Sequence, residues 1–343
     1  MKIIDYKNAI KEAIQEEMEN DPTVFVIGGE TKMFGSLNGI EDQFGKSRVI
    51  TTPISEDATT GLVLGAAMTG LRPIQVHIRV DFMLLAVNQI INMISTAIYN
   101  SNGNLKVPLL IRAVVGRGWG QGYQHSKSLH GLFAQIPGLK VIMPTSPKDA
   151  KGMIKSAIRF DGPVICIENR WLYWQEGEVP EEDYTIDLNL PECVRKGENL
   201  TIVASSWMNI EAKLASEILD NEHGIRAAIF DIKSTDLTNF NEIFNSVNET
   251  GKCIVADNDW LVSGLSGEIA FHIQKNCFRN LDLPIERIGF KQIPCPTVRV
   301  LEEVFYPNAF DIVRKSEEML GLKSCSLESY ELYSHETRFK GPF

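Results

Sequence analysis

Near the start of the chain, Ile10, Ala13, Ile14 and Met18 recur at helical spacing among charged residues. The pattern predicts an amphipathic helix over about residues 5–20. The rhythm then changes. Short apolar, β-branched runs follow: "TVFVIGG", "RVITTP", "RPIQVHIRV", "KVPLLIRAVV", "LKVIMP" and "GPVICIEN". Between them lie helical stretches: a small-residue segment from Glu56, then "LLAVNQIINMISTAIYN" and "SPKDAKGMIKSAIRF". Continuous apolar strands alternating with helices predict a mostly parallel sheet covered on both faces. Residues 174–198 are acidic and proline-bearing, and periodicity vanishes there. Such a stretch reads as an interdomain linker. A second α/β unit follows, with strands at "NLTIVASS", "IRAAIFDI", "KCIVADN" and "IERIGF". Its helices are expected at "NIEAKLASEILDN", near 239–248, at "SGEIAFHIQKN" and at "NAFDIVRKSEEML", with a turn at "PCPT". The expected fold class is α/β with two doubly wound domains. The boundaries are 1–180, a linker at 181–198, and 199–320; the tail 321–343 is left unassigned.

Composition narrows the classes. A chain of 343 residues has enough material for two cores. A net charge of -10 excludes a nucleic-acid partner, because phosphate binding needs clustered Lys and Arg. No run of about 18 apolar residues predicts a membrane span. The N-terminus lacks the shape of a signal peptide, so the expected location is cytoplasmic and the sequons at Asn199 and Asn248 carry little meaning. Six scattered cysteines form no C-x-x-C pair, and read as reduced thiols acting as small hydrophobes.

One stretch raises a chemical question. In "TTPISEDATTGLVLGAAMTGLRP", Glu56 and Asp57 start a helix otherwise rich in small and apolar residues. A carboxylate there gains about 0.3–1 kcal/mol from the helix dipole, which accounts well for Asp57 and less well for Glu56. Other motifs offer less. "GRGWGQG" follows a strand but has neither dinucleotide nor P-loop spacing, so it reads as a mobile loop over a site. "SGLSGE" falls one residue short of the nucleophile elbow. His125 and His130 are five apart, with no obvious third metal ligand.

Taken in order, several stretches resemble one family. They are "TPISE", "GAAMTGLRP", "DF" with Gln89 downstream, "QHSKSLHGLFAQIPGLKVIMP", "DAKGMIKSAIR" and "VRKGENLTIVA", spanning nearly residues 3–320. The chain is similar to the beta subunit of thiamine-diphosphate-dependent 2-oxoacid dehydrogenases of the pyruvate and branched-chain type, within the transketolase-like superfamily. The resemblance implies a pyrimidine-binding domain and a transketolase C-terminal-like domain. It implies that Glu56 faces N1′ of the aminopyrimidine and promotes loss of the C2 proton. Phe82 would stack on that ring, Ile54 and Ile78 would line its pocket, and His125 in "QHS" would serve proton transfer near the reacting carbon. A potassium ion held by backbone carbonyls is also implied, at Leu109, Ala157, Ile158, Phe160 and Gly162. The G-D-G mark of a diphosphate-binding domain is absent from the sequence. An alpha subunit carrying that domain and most of the Mg²⁺ site is therefore implied, in an α₂β₂ assembly, with a lipoyl acyltransferase as a further partner.

Three departures lie near the implied site: Asp57, Arg79, and the bulky loop residues Trp119, Gln121 and Tyr123. They suggest a donor or acceptor more polar than pyruvate and a lipoyl arm. Two function classes follow. In one, a 2-oxoacid is decarboxylated and its acyl group passes to lipoyl. In the other, a carboligase or transketolase-like enzyme passes the thiamine-bound unit to an aldehyde or ketone. A degenerate binding subunit is disfavoured by the presence of both Glu56 and His125.

Overall fold

The apolar runs become strands in two separate units of the computed structural model, which describes residues 1–29, 35–118 and 120–333. The first unit comprises Met1–Leu188, and the second begins at Asn189. Strands of the first are β1 (Lys2–Asp5), β2 (Val24–Gly28), β3 (Val49–Thr51), β4 (Arg72–His77), β5 (Leu109–Val115), β6 (Lys140–Ile142), β7 (Pro163–Asn169) and β8 (Glu176–Val179). Six of them form a sheet in the order β3-β2-β4-β5-β7-β6, and every neighbouring pair in it is parallel. β5 and β7 are buried along their whole lengths. A strand covered on both faces has no polar side to display, which is why these runs show no alternation.

Helices cover the sheet as their periodicity requires. The first, Tyr6–Asn20, buries Ala9, Ile10, Ala13, Ile14 and Met18. Asp5 caps it, its carboxylate accepting from the Asn8 N–H at 2.8 Å. The helix Pro147–Arg159 starts with a capping box between Ser146 and Asp149 and has proline in its first turn. Between the sheet strands lies a fully buried ion pair. Arg112 on β5 donates from Nε and Nη2 to the two carboxylate oxygens of Glu168 on β7, at 2.6 and 2.9 Å. Tyr173 Oη also donates to Glu168, and Arg112 donates to Ser36 Oγ.

The second unit has β9 (Glu192–Arg195), β10 (Leu200–Ser205), β11 (Ala227–Ile232), β12 (Cys253–Trp260) and β13 (Glu286–Phe290). Their order is β13-β12-β10-β11-β9, all parallel except the antiparallel edge strand β9. Helices Met208–His223 and Ala309–Leu320 bury Met208, Ala212, Ala215, Ile218, Leu219, Ile312 and Val313 in its core.

Three features differ from the sequence reading. The stretch read as structureless carries two strands: β8 pairs antiparallel with β1, and β9 with β11. Each is short and lies at an edge, where little burial imprints a pattern. The single helix expected across residues 84–100 is broken into a 3₁₀ turn (Leu84–Ala86), a π-helical turn (Gln89–Ile94) and an α-helix (Ser95–Asn100). Part of the unassigned tail is ordered against the second unit: Leu327, Tyr330 and Leu332 pack on its core, and Tyr333 meets Trp207 edge-on at 4.6 Å.

Candidate active site

Chain order reverses across the first sheet: β3 lies on one side of β2, and β4 on the other. Ligands of open α/β sheets bind outside the carboxyl ends of the strands at such a point. A cavity of about 470 Å³ opens there. It is walled by the segments that leave β2, β3 and β4, and by the loop after β5. At the β2–β4 pair, a side chain on Gly28 would put its Cβ 2.5 Å from the Val76 carbonyl oxygen, so this floor admits only glycine.

Ile54, Glu56, Ile78, Phe82 and His125 all line this cavity. Glu56 is half-buried at the first position of the helix Glu56–Met68, while Asp57 beside it is exposed. Phe82 lies in the short helix Val80–Met83 after β4. Its ring meets that of His125 nearly perpendicular, at a centroid distance of 5.3 Å. His125 follows the glycine loop and its Nδ1 lies 3.2 Å from the Gln121 carbonyl oxygen. That loop turns with φ of +85°, +65° and +58° at Gly118, Gly120 and Gly122, a conformation open chiefly to glycine. Trp119 lies outside the described residues, and Tyr123 is exposed.

The small residues of the helix Glu56–Met68 have a visible use. Thr60, Val63, Leu64 and Ala67 form its buried face. Gly61 faces the Gln89 side chain: a Cβ there would lie in ordinary contact, 3.4 Å from Gln89 Oε1. Gln89 opens the π-helical turn, a feature frequent at functional sites. Leu62 and Met68 on the same helix are exposed.

Two wall residues escaped the sequence reading. Gln75 and His77 alternate along β4, and both line the cavity. Gln75 Nε2 donates to Thr60 Oγ1 at 2.8 Å, while Gln75 Oε1 and His77 Nε2 are buried with no hydrogen-bond partner among the described residues. Polar residues at every second position of an apolar strand were the available signal. Burial holds the His77 imidazole down at a pKa of about 4. The unfolded chain takes up this proton near pH 6.5, so stability present above that pH is lost as pH falls toward 4. Between roughly pH 7.5 and 5 the expected loss is about 2 kcal/mol. Urea titrations at both pH values should show this difference shrinking by that amount in His77→Phe. An unchanged pH dependence in the variant would show that His77 is not its source.

At the implied potassium site, two of the five carbonyls already face a side-chain cation. Arg72 at the start of β4 donates from Nη1 to the carbonyls of Ile158 and Phe160, at 2.9 and 3.3 Å, and from Nη2 to Asp161 Oδ1 at 2.7 Å. A tethered cation thus already faces two of the five positions, at the C-terminal end of the helix Pro147–Arg159 where positive charge is favoured. Leu109, Ala157 and Gly162 are buried around the same strand and helix ends.

The first unit is thus a doubly wound sheet with a cavity at its switch point, and the second a smaller, mostly parallel sheet. The transketolase pyrimidine-binding domain matches residues 2–175, and the transketolase C-terminal domain matches residues 192–312. The chain is 35% identical over 314 residues to the 2-oxoisovalerate dehydrogenase subunit beta of Bacillus subtilis (strain 168), covering 90% of this chain and 96% of that one. It is 37% identical over 300 residues to the pyruvate dehydrogenase E1 component subunit beta of Porphyra purpurea, covering 86% and 90%. Among solved structures, a split-gene transketolase described as an inactive beta4 tetramer has a TM-score of 0.72 at 21% identity, covering 94% of this chain and 99% of that one. Transketolase from Leishmania mexicana gives 0.70 at 15% identity, covering 94% and 46%. The chain belongs to the transketolase-like family, among the E1 beta subunits of 2-oxoacid dehydrogenases.

Proposed function

We propose that this chain is the beta half of a heteromeric, thiamine-diphosphate-dependent enzyme that decarboxylates a 2-oxoacid and hands the acyl group to a lipoyl acceptor. The observation that carries the reading is the meeting of Glu56, Phe82 and His125 in one cavity at the switch point. The donor set suits an aminopyrimidine: an aromatic wall, a carboxylate at the mouth, and unsatisfied polar atoms on Gln75 and His77. When bound, the cofactor supplies the nucleophilic carbon of the reaction. This chain's part is to hold and tune it. Glu56 would hold a proton against the ring nitrogen N1′. Phe82 would stack on the ring, with Ile54 and Ile78 as apolar walls. His125 would move a proton at the substrate end of the cavity.

An alpha subunit completes the site in this reading. It would carry the Mg²⁺ and diphosphate half, in an α₂β₂ assembly serving a lipoyl acyltransferase. Exposed apolar residues support a protein partner: Ile54 (77% exposed) and Leu85 line the cavity, and Leu62, Met68 and Leu71 lie between them in the chain. Among the described residues no single helix is long and apolar enough to cross a membrane; the pair Val80–Ala86 and Gln89–Asn100 is bent by 65°. All six cysteines are free, which supports a reducing, cytoplasmic location.

The test is reconstitution with the alpha chain, Mg²⁺ and cofactor, scored by 2-oxoacid-dependent reduction of a dye. The complex should turn over and the lone beta chain should not. Turnover by the lone chain would refute the shared-site reading, and an inactive complex across a 2-oxoacid panel would refute the activity.

A further inference from the structure

We infer that His223, Glu317 and Cys325 form a zinc-binding site in the second unit, one that fastens the tail after Leu320 to the body of that unit. An imidazole nitrogen, a carboxylate oxygen and the thiol sulfur of these residues lie within 4.8 Å of one another. They come from three segments. His223 ends the helix Met208–His223, Glu317 lies in the last turn of the helix Ala309–Leu320, and Cys325 follows in the tail. Glu317 is 1% exposed, while His223 and Cys325 are partly buried, so the cluster is shielded but reachable by an ion.

The contacts around the cluster aim its donors at one another. His223 Nε2 lies 2.9 Å from Glu317 Oε1, and the Cys325 N–H donates to that same oxygen at 2.8 Å. Arg314 holds the far side. It donates from Nη1 to Glu317 Oε2 at 2.7 Å and from Nη2 to the Cys325 carbonyl at 2.9 Å. The Cys325 backbone is thus held at both its N–H and its C=O. Outer contacts of this kind orient metal ligands and tune their donor strength. Arg314 brings a positive charge, which the Glu317 carboxylate offsets. A second negative charge appears on Cys325, whose thiol proton leaves as the metal binds. Both helices also end here, and helix C-termini favour cations.

The donor set selects the ion. Mixed nitrogen, oxygen and sulfur ligands suit Zn²⁺, whereas Mg²⁺ and Ca²⁺ take oxygen. Tetrahedral zinc with bonds of about 2.0–2.3 Å keeps its ligand atoms about 3.3–3.7 Å apart. His223 Nε2 and Glu317 Oε1 therefore need to part by only about half an ångström, with the imidazole as its Nδ1–H tautomer. Water takes the fourth position. Just beyond Cys325, Leu327, Tyr330 and Leu332 pack on the core, and Tyr330 Oη donates to Glu222 at 2.8 Å. A metal bond at Cys325 anchors the start of that packed stretch.

The experiment uses the full chain, freed of metal and titrated with Zn²⁺ or Co²⁺. The wild type should bind a single Zn²⁺ in competition with a chromophoric chelator. Cys325→Ser and His223→Gln should each weaken binding by at least about 10–100-fold, since a lost ligand costs no less than a lost outer contact. Co²⁺ should give a sulfur-to-cobalt charge-transfer band that vanishes in Cys325→Ser and persists in Cys193→Ser, the other cysteine that is not fully buried. A wild-type chain that binds no Zn²⁺ or gives no such band overturns the site, as does a band unchanged in Cys325→Ser. If Cys325→Ser fails to fold, the wild-type spectrum and the His223→Gln affinity still decide. Amide exchange over residues 322–333 should slow roughly 100-fold when free zinc stands about a hundredfold above its Kd. Exchange unaltered in a chain that has bound zinc overturns the role in holding the tail.

Discussion

Glu56→Gln is expected to leave thiamine diphosphate bound to the assembled enzyme while slowing exchange of its C2 proton by roughly 10²–10⁴-fold, the usual worth of a positioned acid–base group. Glutamine matches glutamate in size and can still hydrogen-bond a ring nitrogen, but it has no acidic proton to place there. The other wall residues, Phe82 and Ile78 among them, are untouched by the change. Hydrogen–deuterium exchange at C2 reads the effect directly and needs no knowledge of the substrate. Equal exchange in variant and wild type would reduce Glu56 to a helix-start carboxylate like its exposed neighbour Asp57.

The second large effect lies in the core. Arg112 and Glu168 are both 0% exposed and joined by two hydrogen bonds across β5 and β7. Neutralising Glu168 as Gln leaves the Arg112 guanidinium buried without its counter-charge, at a cost of about 3–5 kcal/mol. Denaturant titration should show that loss. Replacing both residues by Leu should recover most of it, because the pair's desolvation cost disappears together with its attraction. A single variant within about 1 kcal/mol of wild type would mean the strands relax enough to admit water to the arginine.

The parallel sheets were legible because burial on both faces turns β5, β7 and β10 into mainly apolar runs without alternation. Resemblance alone singled out Glu56 and His125, and the structure brings both to one cavity. What escaped was set by tertiary contact. β8 and β9 are edge strands of only four residues with little full burial, too short for a pattern to stand out. The π turn at Gln89–Ile94 looks in sequence like any apolar helix, and the residue that Gln89 faces, Gly61, belongs to a different helix. Gln75 and His77 sat in a run read only for its hydrophobicity. The potassium carbonyls illustrate the converse limit: backbone ligands leave no trace in residue identity, and Arg72, distant in sequence, is the cation that reaches Ile158 and Phe160.

The exposed outer side of the helix Glu56–Met68 has a consequence for supply in the cell. Leu62 and Met68, with Leu71 and Leu85 close in the chain, present apolar surface. A chain made in excess of its partner would carry that surface uncovered, inviting aggregation and capture by chaperones and proteases. Association would protect the chain by mass action. Abundance would then track the scarcer of the two subunits, and stoichiometry would be enforced by turnover of whichever copy fails to find a mate.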